Sequence, residues 1–259
     1  TPKPSSAASD VYKRQMKNGY SGIGEWQIQG LIEGCFRYLG ASGWAYPSIV
    51  GGGENATILH YHANNMKCND GDLVLIDAGS EFEGYAADIT RSWPVNGKFS
   101  ESQKKIYNLV LKSQLAAIEQ CVVGNEYLET HKAASRVLAE GLVDLGIISC
   151  TAEDALENGE LKKYFMHGTG HWIGLDVHDV GIYKPNGIPR KFEAGMVITI
   201  EPGLYFGGWR PDLNDLDPQW DGIGIRIEDD VLITENGPDV LSSRCPKSLD
   251  EIESLIGTS

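Results

Sequence analysis

The chain has 259 residues, 41% of them hydrophobic and 22% charged, which suits a soluble globular protein of one large domain or two small ones. Its formal net charge of −14 argues against nucleic acid or an anionic membrane as partner. Five cysteines without CxxC spacing, no apolar run of transmembrane length and no signal-peptide pattern point to reduced thiols in a cytoplasmic setting. Residues 1–15, polar with two prolines and three serines, read as an extraneous or disordered leader, leaving 16–259 as one domain. From Glu25 to Leu39 apolar residues recur at helical spacing up to Gly40. Tyr46–Val50 and Thr57–Tyr61 read as strands around the glycine-rich GGGEN turn, which lacks the Lys-Ser/Thr of a phosphate loop.

The stretch Leu73–Arg91 carries the strongest local signal. The apolar run Leu73–Ile76 ends on Asp77, and a Gly-containing loop leads to a segment with Asp88 and Ile89. This predicts an antiparallel hairpin with its midpoint at Phe82–Glu83, setting Asp77 nearly opposite Asp88. Two carboxylates at that separation repel, so a positive group is expected between them.

Helices follow. One opens after Phe99 with capping-box spacing at Ser100 and Gln103; a second covers Leu128–Leu145, and a short acidic one Ala152–Leu161. Strands return at Tyr164–Met166, at Met196–Ile200 and in a hairpin near Gly224–Ile233, before a last helix at Leu249–Ile256. The order predicts an α+β fold, a curved antiparallel sheet covered by helices.

Polar residues collect at the strand ends. MHGTGHWIGLDVHD, Met166–Asp179, holds His167, His171 and His178, but its glycines and the missing glutamate argue against a helical zinc motif. MVITI runs into Glu201, and IGIRIEDD places Glu228 beside Arg226 in an apolar strand. Each has an ordinary alternative: Asp77 as a cap, Glu201 closing a turn, Glu228 pairing with Arg226, His171 as a core histidine. Together, Asp77, Asp88, His171, Glu201 and Glu228 offer four carboxylates and one imidazole. That donor set suits hard or borderline divalent ions, Mn²⁺ first and Co²⁺ or Zn²⁺ as competitors. Five residues are too many for one open catalytic ion and about right for two, a pair able to activate water and polarise a carbonyl.

The ordered pattern IDAG…ADITR, HGTGHWIGLDVHD, TIEPG and GIRIEDD resembles the M24 metallopeptidases of pita-bread fold, and among them the Xaa-Pro aminopeptidase and Xaa-Pro dipeptidase branch, from about Gly22 to Gly257. The resemblance implies that Asp77 serves one ion only, that Asp88 and Glu228 bridge, and that His171 and Glu201 serve the other ion, Glu201 being also the base. It implies that His60, His167 and His178 bind substrate and support the tetrahedral intermediate. Arg226 is expected to orient the carboxylates or contact substrate, and Tyr205 to line the cleft; His62 and His131 have no assigned role. The implied substrates are peptides with proline in second position, with prolidase, methionine aminopeptidase and a non-catalytic binding protein as alternatives. The resemblance also implies a preceding N-terminal domain. The expectation is therefore that this chain corresponds to the catalytic part without that domain or the first catalytic helix, with homo-oligomerisation left open.

Overall fold

The computed structural model describes residues 4–256. Its helices are α1 (Pro4–Lys17), α2 (Glu25–Tyr38), α3 (Glu101–Ile118), α4 (Tyr127–Asp144), α5 (Ala152–Glu157) and α6 (Leu249–Leu255). The strands are β1 (Gly43–Trp44), β2 (Ile49–Gly52), β3 (Leu73–Asp77), β4 (Ser80–Phe82), β5 (Tyr85–Ala86) and β6 (Thr90–Pro94), followed by β7 (Val197–Ile200), β8 (Gly203–Phe206), β9 (Ile223–Arg226), β10 (Asp229–Thr234) and β11 (Gly237–Val240). Every strand pairing is antiparallel, in the orders β2-β3-β6, β1-β4-β5, β11-β10-β7 and β8-β9.

These short sheets abut one another. Ser92 in β6 bonds both the N–H and the carbonyl of Arg226 in β9, and the Glu228 N–H donates to the Thr90 carbonyl (3.0 Å). Arg226 to Asp229 is therefore a crossing, in which one apolar run leaves the β8 pair and enters the β7 pair. The expected hairpin at Gly224–Ile233 does not form, because β9 and β10 each pair with other strands. α3 packs on α4 and against β7, β8 and β9. Its start follows the capping box: Ser100 Oγ accepts the Gln103 N–H (3.2 Å), and Gln103 Oε1 accepts the Ser100 N–H (2.9 Å).

The amino-terminal stretch departs from the leader reading. Pro4–Lys17 form α1, and Val11, Tyr12 and Met16 are buried in the main core. The Tyr12 hydroxyl donates to the Ile89 carbonyl and accepts the Ala78 N–H (3.1 Å), bracing the two residues next to Asp77 and Asp88. The polar composition hid a narrow apolar stripe, in which Tyr12 and Met16 stand one helical turn apart. The segments Thr57–Tyr61 and Tyr164–Met166 are not strands; Gly53–Thr57 is a 3₁₀ turn and the chain after it is irregular.

Candidate metal centre

β3 and β6 pair with Asp77 opposite Thr90, and β4 and β5 with Phe82 opposite Tyr85. The register is thus shifted from the expected one: Asp88 lies two residues before the partner of Asp77, in the link entering β6. The two carboxylates still meet, because the Tyr46 hydroxyl lies between Asp77 Oδ1 and Asp88 Oδ1. Gly79 permits the close crossing, since a Cβ there would fall 1.6 Å from the Ala87 carbonyl oxygen. Asp88 is held by its own N–H, which donates to the Asp230 carboxylate (3.3 Å).

His171 arrives from a segment laid along β7. The Thr199 N–H donates to the His171 carbonyl, and the Glu201 N–H to the Thr169 carbonyl (2.7 Å). That lay requires glycine at 170, where a Cβ would sit 1.8 Å from the Thr199 carbonyl oxygen. The His171 ring turns Nδ1 to the Trp172 carbonyl (3.0 Å), so Nδ1 carries the proton and Nε2 faces Asp88 Oδ2 (3.4 Å) and Glu201 Oε1 (3.7 Å). Glu201 extends from the end of β7 before Pro202, and Glu228 projects from the crossing between β9 and β10. Thr90 donates its hydroxyl to Glu228 Oε2 (2.6 Å), while Glu228 Oε1 is buried with no hydrogen-bond partner. Arg226 does not pair with Glu228. Its Nη2 donates to Asp77 Oδ2 (2.7 Å), Nη1 to the Tyr205 hydroxyl (2.9 Å) and Nε to Thr90 Oγ1 (3.2 Å).

These residues fit divalent cations. Ligand atoms of Asp88, His171 and Glu228 all lie within 4.8 Å of one another, and Asp77 and Glu201 line the same cavity of about 530 Å³. Burial, and then the charge of Asp77, raises the Asp88 pKa; burial and Asp88 raise that of Glu228 well above the carboxylate range. Burial, with Asp88 and Asp77, brings Glu201 up to about 7. Burial opposes the charge on His171, but the bond to Asp88 and the field of Glu201 outweigh it and lift the ring to about 9. Burial is the largest cause of the carboxylate shifts and their mutual repulsion adds to it, and the orphaned Glu228 oxygen marks where a cation would relieve both.

The remaining histidines divide. His60, His62, His167 and His178 line the cavity, with His60 and His62 rings stacked at 6.4 Å and His178 edge-on to His171 at 4.4 Å. His167 has both nitrogens engaged: Nδ1 donates to the Gly168 carbonyl (2.7 Å) and Nε2 accepts from the Tyr205 hydroxyl (2.8 Å). Burial and the Arg226 charge push its pKa down to about 3, so it is a neutral ring and not an imidazolium. Tyr205 does not line the cleft; it is fully buried and links Arg226 to His167 from behind. His131, on α4, bonds Thr169 Oγ1 through Nδ1 (2.8 Å) and backs the His171 segment without reaching the cavity. Tyr46 and Thr90, which hold Asp77, Asp88 and Glu228 by hydrogen bonds, are positions that sequence reasoning missed.

The family model of metallopeptidase family M24 matches residues 3–235, and the chain belongs to that family. The Xaa-Pro aminopeptidase of Haemophilus influenzae is 50% identical over 212 residues, covering 82% of this chain and 48% of that protein. The Xaa-Pro aminopeptidase of Escherichia coli is 44% identical over 246 residues, covering 95% of this chain and 55% of its own length. The structure of Pseudomonas aeruginosa aminopeptidase PepP superposes with a TM-score of 0.95 at 43% identity, covering 98% of this chain and 57% of that one. The chain spans about half the length of the curated relatives it matches. Its α+β architecture is the pita-bread fold of the M24 metallopeptidases, a family that works with divalent metal ions.

Proposed function

We propose that this chain carries out metal-dependent hydrolysis of the N-terminal Xaa-Pro bond of peptides. The observation that carries the reading is the convergence of Asp77, Asp88, His171, Glu201 and Glu228 on one cavity with an unpartnered oxygen on Glu228. The preference for proline is supported by the named activity of the relatives of 44–50% identity.

Those five residues would hold two divalent cations, Mn²⁺ with Co²⁺ or Zn²⁺ as competitors, which when bound supply Lewis acidity to the scissile carbonyl and acidify water. Glu201, at the open end of β7 and facing the cavity, takes the proton of the attacking water and returns it to the departing prolyl nitrogen. A secondary amine leaves poorly unless protonated, so that return is essential. His60 and His178 stand on the cavity wall and donate to the carbonyl oxygen as charge develops there. Arg226 and Tyr46 hold Asp77 in place, and the neutral His167 anchors the wall through Tyr205. The five cysteines are all free, which supports a reducing, cytoplasmic compartment.

The test is a side-by-side assay of the Mn²⁺-loaded protein on Xaa-Pro-Yaa, Xaa-Pro and Met-Ala-Yaa peptides. Release of the first residue of Xaa-Pro-Yaa in preference to both others is expected. Preference for the dipeptide would make it a prolidase, and preference for Met-Ala-Yaa a methionine aminopeptidase. No turnover by metal-loaded protein would point to a binding protein.

A further inference from the structure

We propose that Glu25 is a positioning residue for the cavity-wall histidines His60 and His62, acting through the segment 53–66. The inference rests on the functional reading above only for what His60 does, not for how it is held.

Glu25 is the first residue of α2, is 0% exposed and is absent from the cavity lining. Its Oε1 accepts from the Gly52 N–H (2.8 Å) and from Asn55 Nδ2 (2.9 Å). Its Oε2 accepts from the Tyr61 hydroxyl (2.9 Å) and the Met66 N–H (2.8 Å). One buried carboxylate therefore gathers the start, the middle and the end of a segment whose second half, 58–66, lies outside any helix or strand. A second tie works beside it. Asn64, at φ +44, accepts the Val50 N–H through Oδ1 (3.0 Å) and donates through Nδ2 to the Ser48 carbonyl (2.8 Å) and to Gln29 Oε1 (3.0 Å).

The consequence lies at the cavity. His60 and His62 are exposed on its wall with their rings stacked, and among the described residues neither ring makes a hydrogen bond, so the backbone path sets the point from which the pair reaches into the cavity. An irregular stretch keeps its path only where its polar groups find partners, and here side chains of α2 supply them. Glu25 thus sets the imidazole pair without touching substrate.

The variant E25Q keeps the volume but turns an amide NH₂ toward one of the two donor pairs. In the Mn²⁺-loaded chain, amide exchange across 58–66 is expected to accelerate by about tenfold or more, with α3 and β3 unchanged. Activity on Xaa-Pro-Yaa should fall by about tenfold, mainly through KM, with metal content unaltered. Because the effect runs through His60, the double variant H60A/E25Q should be no worse than H60A, whereas a general structural defect would add its own loss. Should E25Q fail to fold, Y61F and N55A each remove one donor and should show the same exchange pattern in weaker form. Unchanged exchange in 58–66, or losses that add in the double variant, would overturn the proposal. If H60A alone leaves turnover intact, the role given to His60 fails, and the clamp stands or falls on exchange.

Discussion

Glu228 sits where a carboxylate is costly. It is 1% exposed, one oxygen is satisfied by Thr90, and the other has nothing. Arg226, the nearest guanidinium along the chain, is committed to Asp77, Tyr205 and Thr90. Without cations, burial and mutual repulsion favour the protonated forms of these carboxylates, and a pH signature is expected. The folded pKa values of Asp88, Glu201, Glu228 and His171 all lie above their unfolded values. A raised pKa contributes stability at low pH that is lost as pH rises, here through about 7 for Glu201 and about 9 for His171. The metal-free protein should thus lose thermal stability between about pH 5 and 9, while the Tm gain on adding Mn²⁺ grows over the same window. Thermal melts with and without the ion check this; a gain that shrinks with pH would contradict it. Glu201→Gln should lower kcat by about 10²–10⁴-fold with an unchanged circular dichroism spectrum, and near-normal turnover would remove Glu201 from the base role. The candidate carboxylates were legible because Asp77, Glu201 and Glu228 end or follow apolar strands, and His171 because it stands in the glycine-flanked HGTGH motif. Tyr46 and Thr90 were not, since a hydroxyl at a strand end has no such contrast and gains meaning only once the register of β3 against β6 is known.

Among the elements, α2, α3, α4 and α6 follow their capping and periodicity signals closely, and α3 keeps its capping box. Failures occurred where partners far along the chain decide the outcome. β9 and β10 are adjacent in sequence and alternate like a hairpin, yet each is claimed by another strand, and that crossing is what presents Glu228. The segment 57–61 has strand-like residues, but Glu25 and Asn64 take up neighbouring backbone groups that a ladder would use. α1 was hidden by composition. Its Tyr12 is 0% exposed and touches the backbone beside both hairpin aspartates. Tyr12→Ala should destabilise the protein by about 3–5 kcal/mol, measured by denaturant unfolding, a loss typical of a buried aromatic. A change within experimental error would show that α1 contributes nothing to the core.

At the scale of the molecule, the β2-β3-β6, β8-β9 and β11-β10-β7 sheets abut around the crossing from Arg226 to Asp229, and polar contacts tie them there. Arg91, 0% exposed, donates to the carbonyls of Thr90 (2.9 Å), Glu228 (2.6 Å), Cys245 (3.0 Å) and Pro246 (2.9 Å), and to Asp229 Oδ1 (2.7 Å). Asp229 in turn accepts from Gln114 of α3 and from Lys247 (both 2.7 Å), so the strands next to the carboxylate cluster are tied to the helical layer. Burial opposes the charge on Asp229, but Arg91 and Lys247 hold its pKa below the carboxylate range. This network is complete within the protein, whereas the carboxylate cluster in front of it is not. The α+β class was legible from element order; the meeting of sheets was not, because no local pattern encodes which strands abut. The direct measurement is diffraction from Mn²⁺-loaded crystals with anomalous data at the manganese edge. Two peaks about 3.5–4 Å apart, between Asp88 and Glu228 and within reach of Asp77, His171 and Glu201, are predicted. A cavity that stays free of anomalous density at saturating Mn²⁺, Co²⁺ and Zn²⁺, with the carboxylates still crowded, would contradict the account.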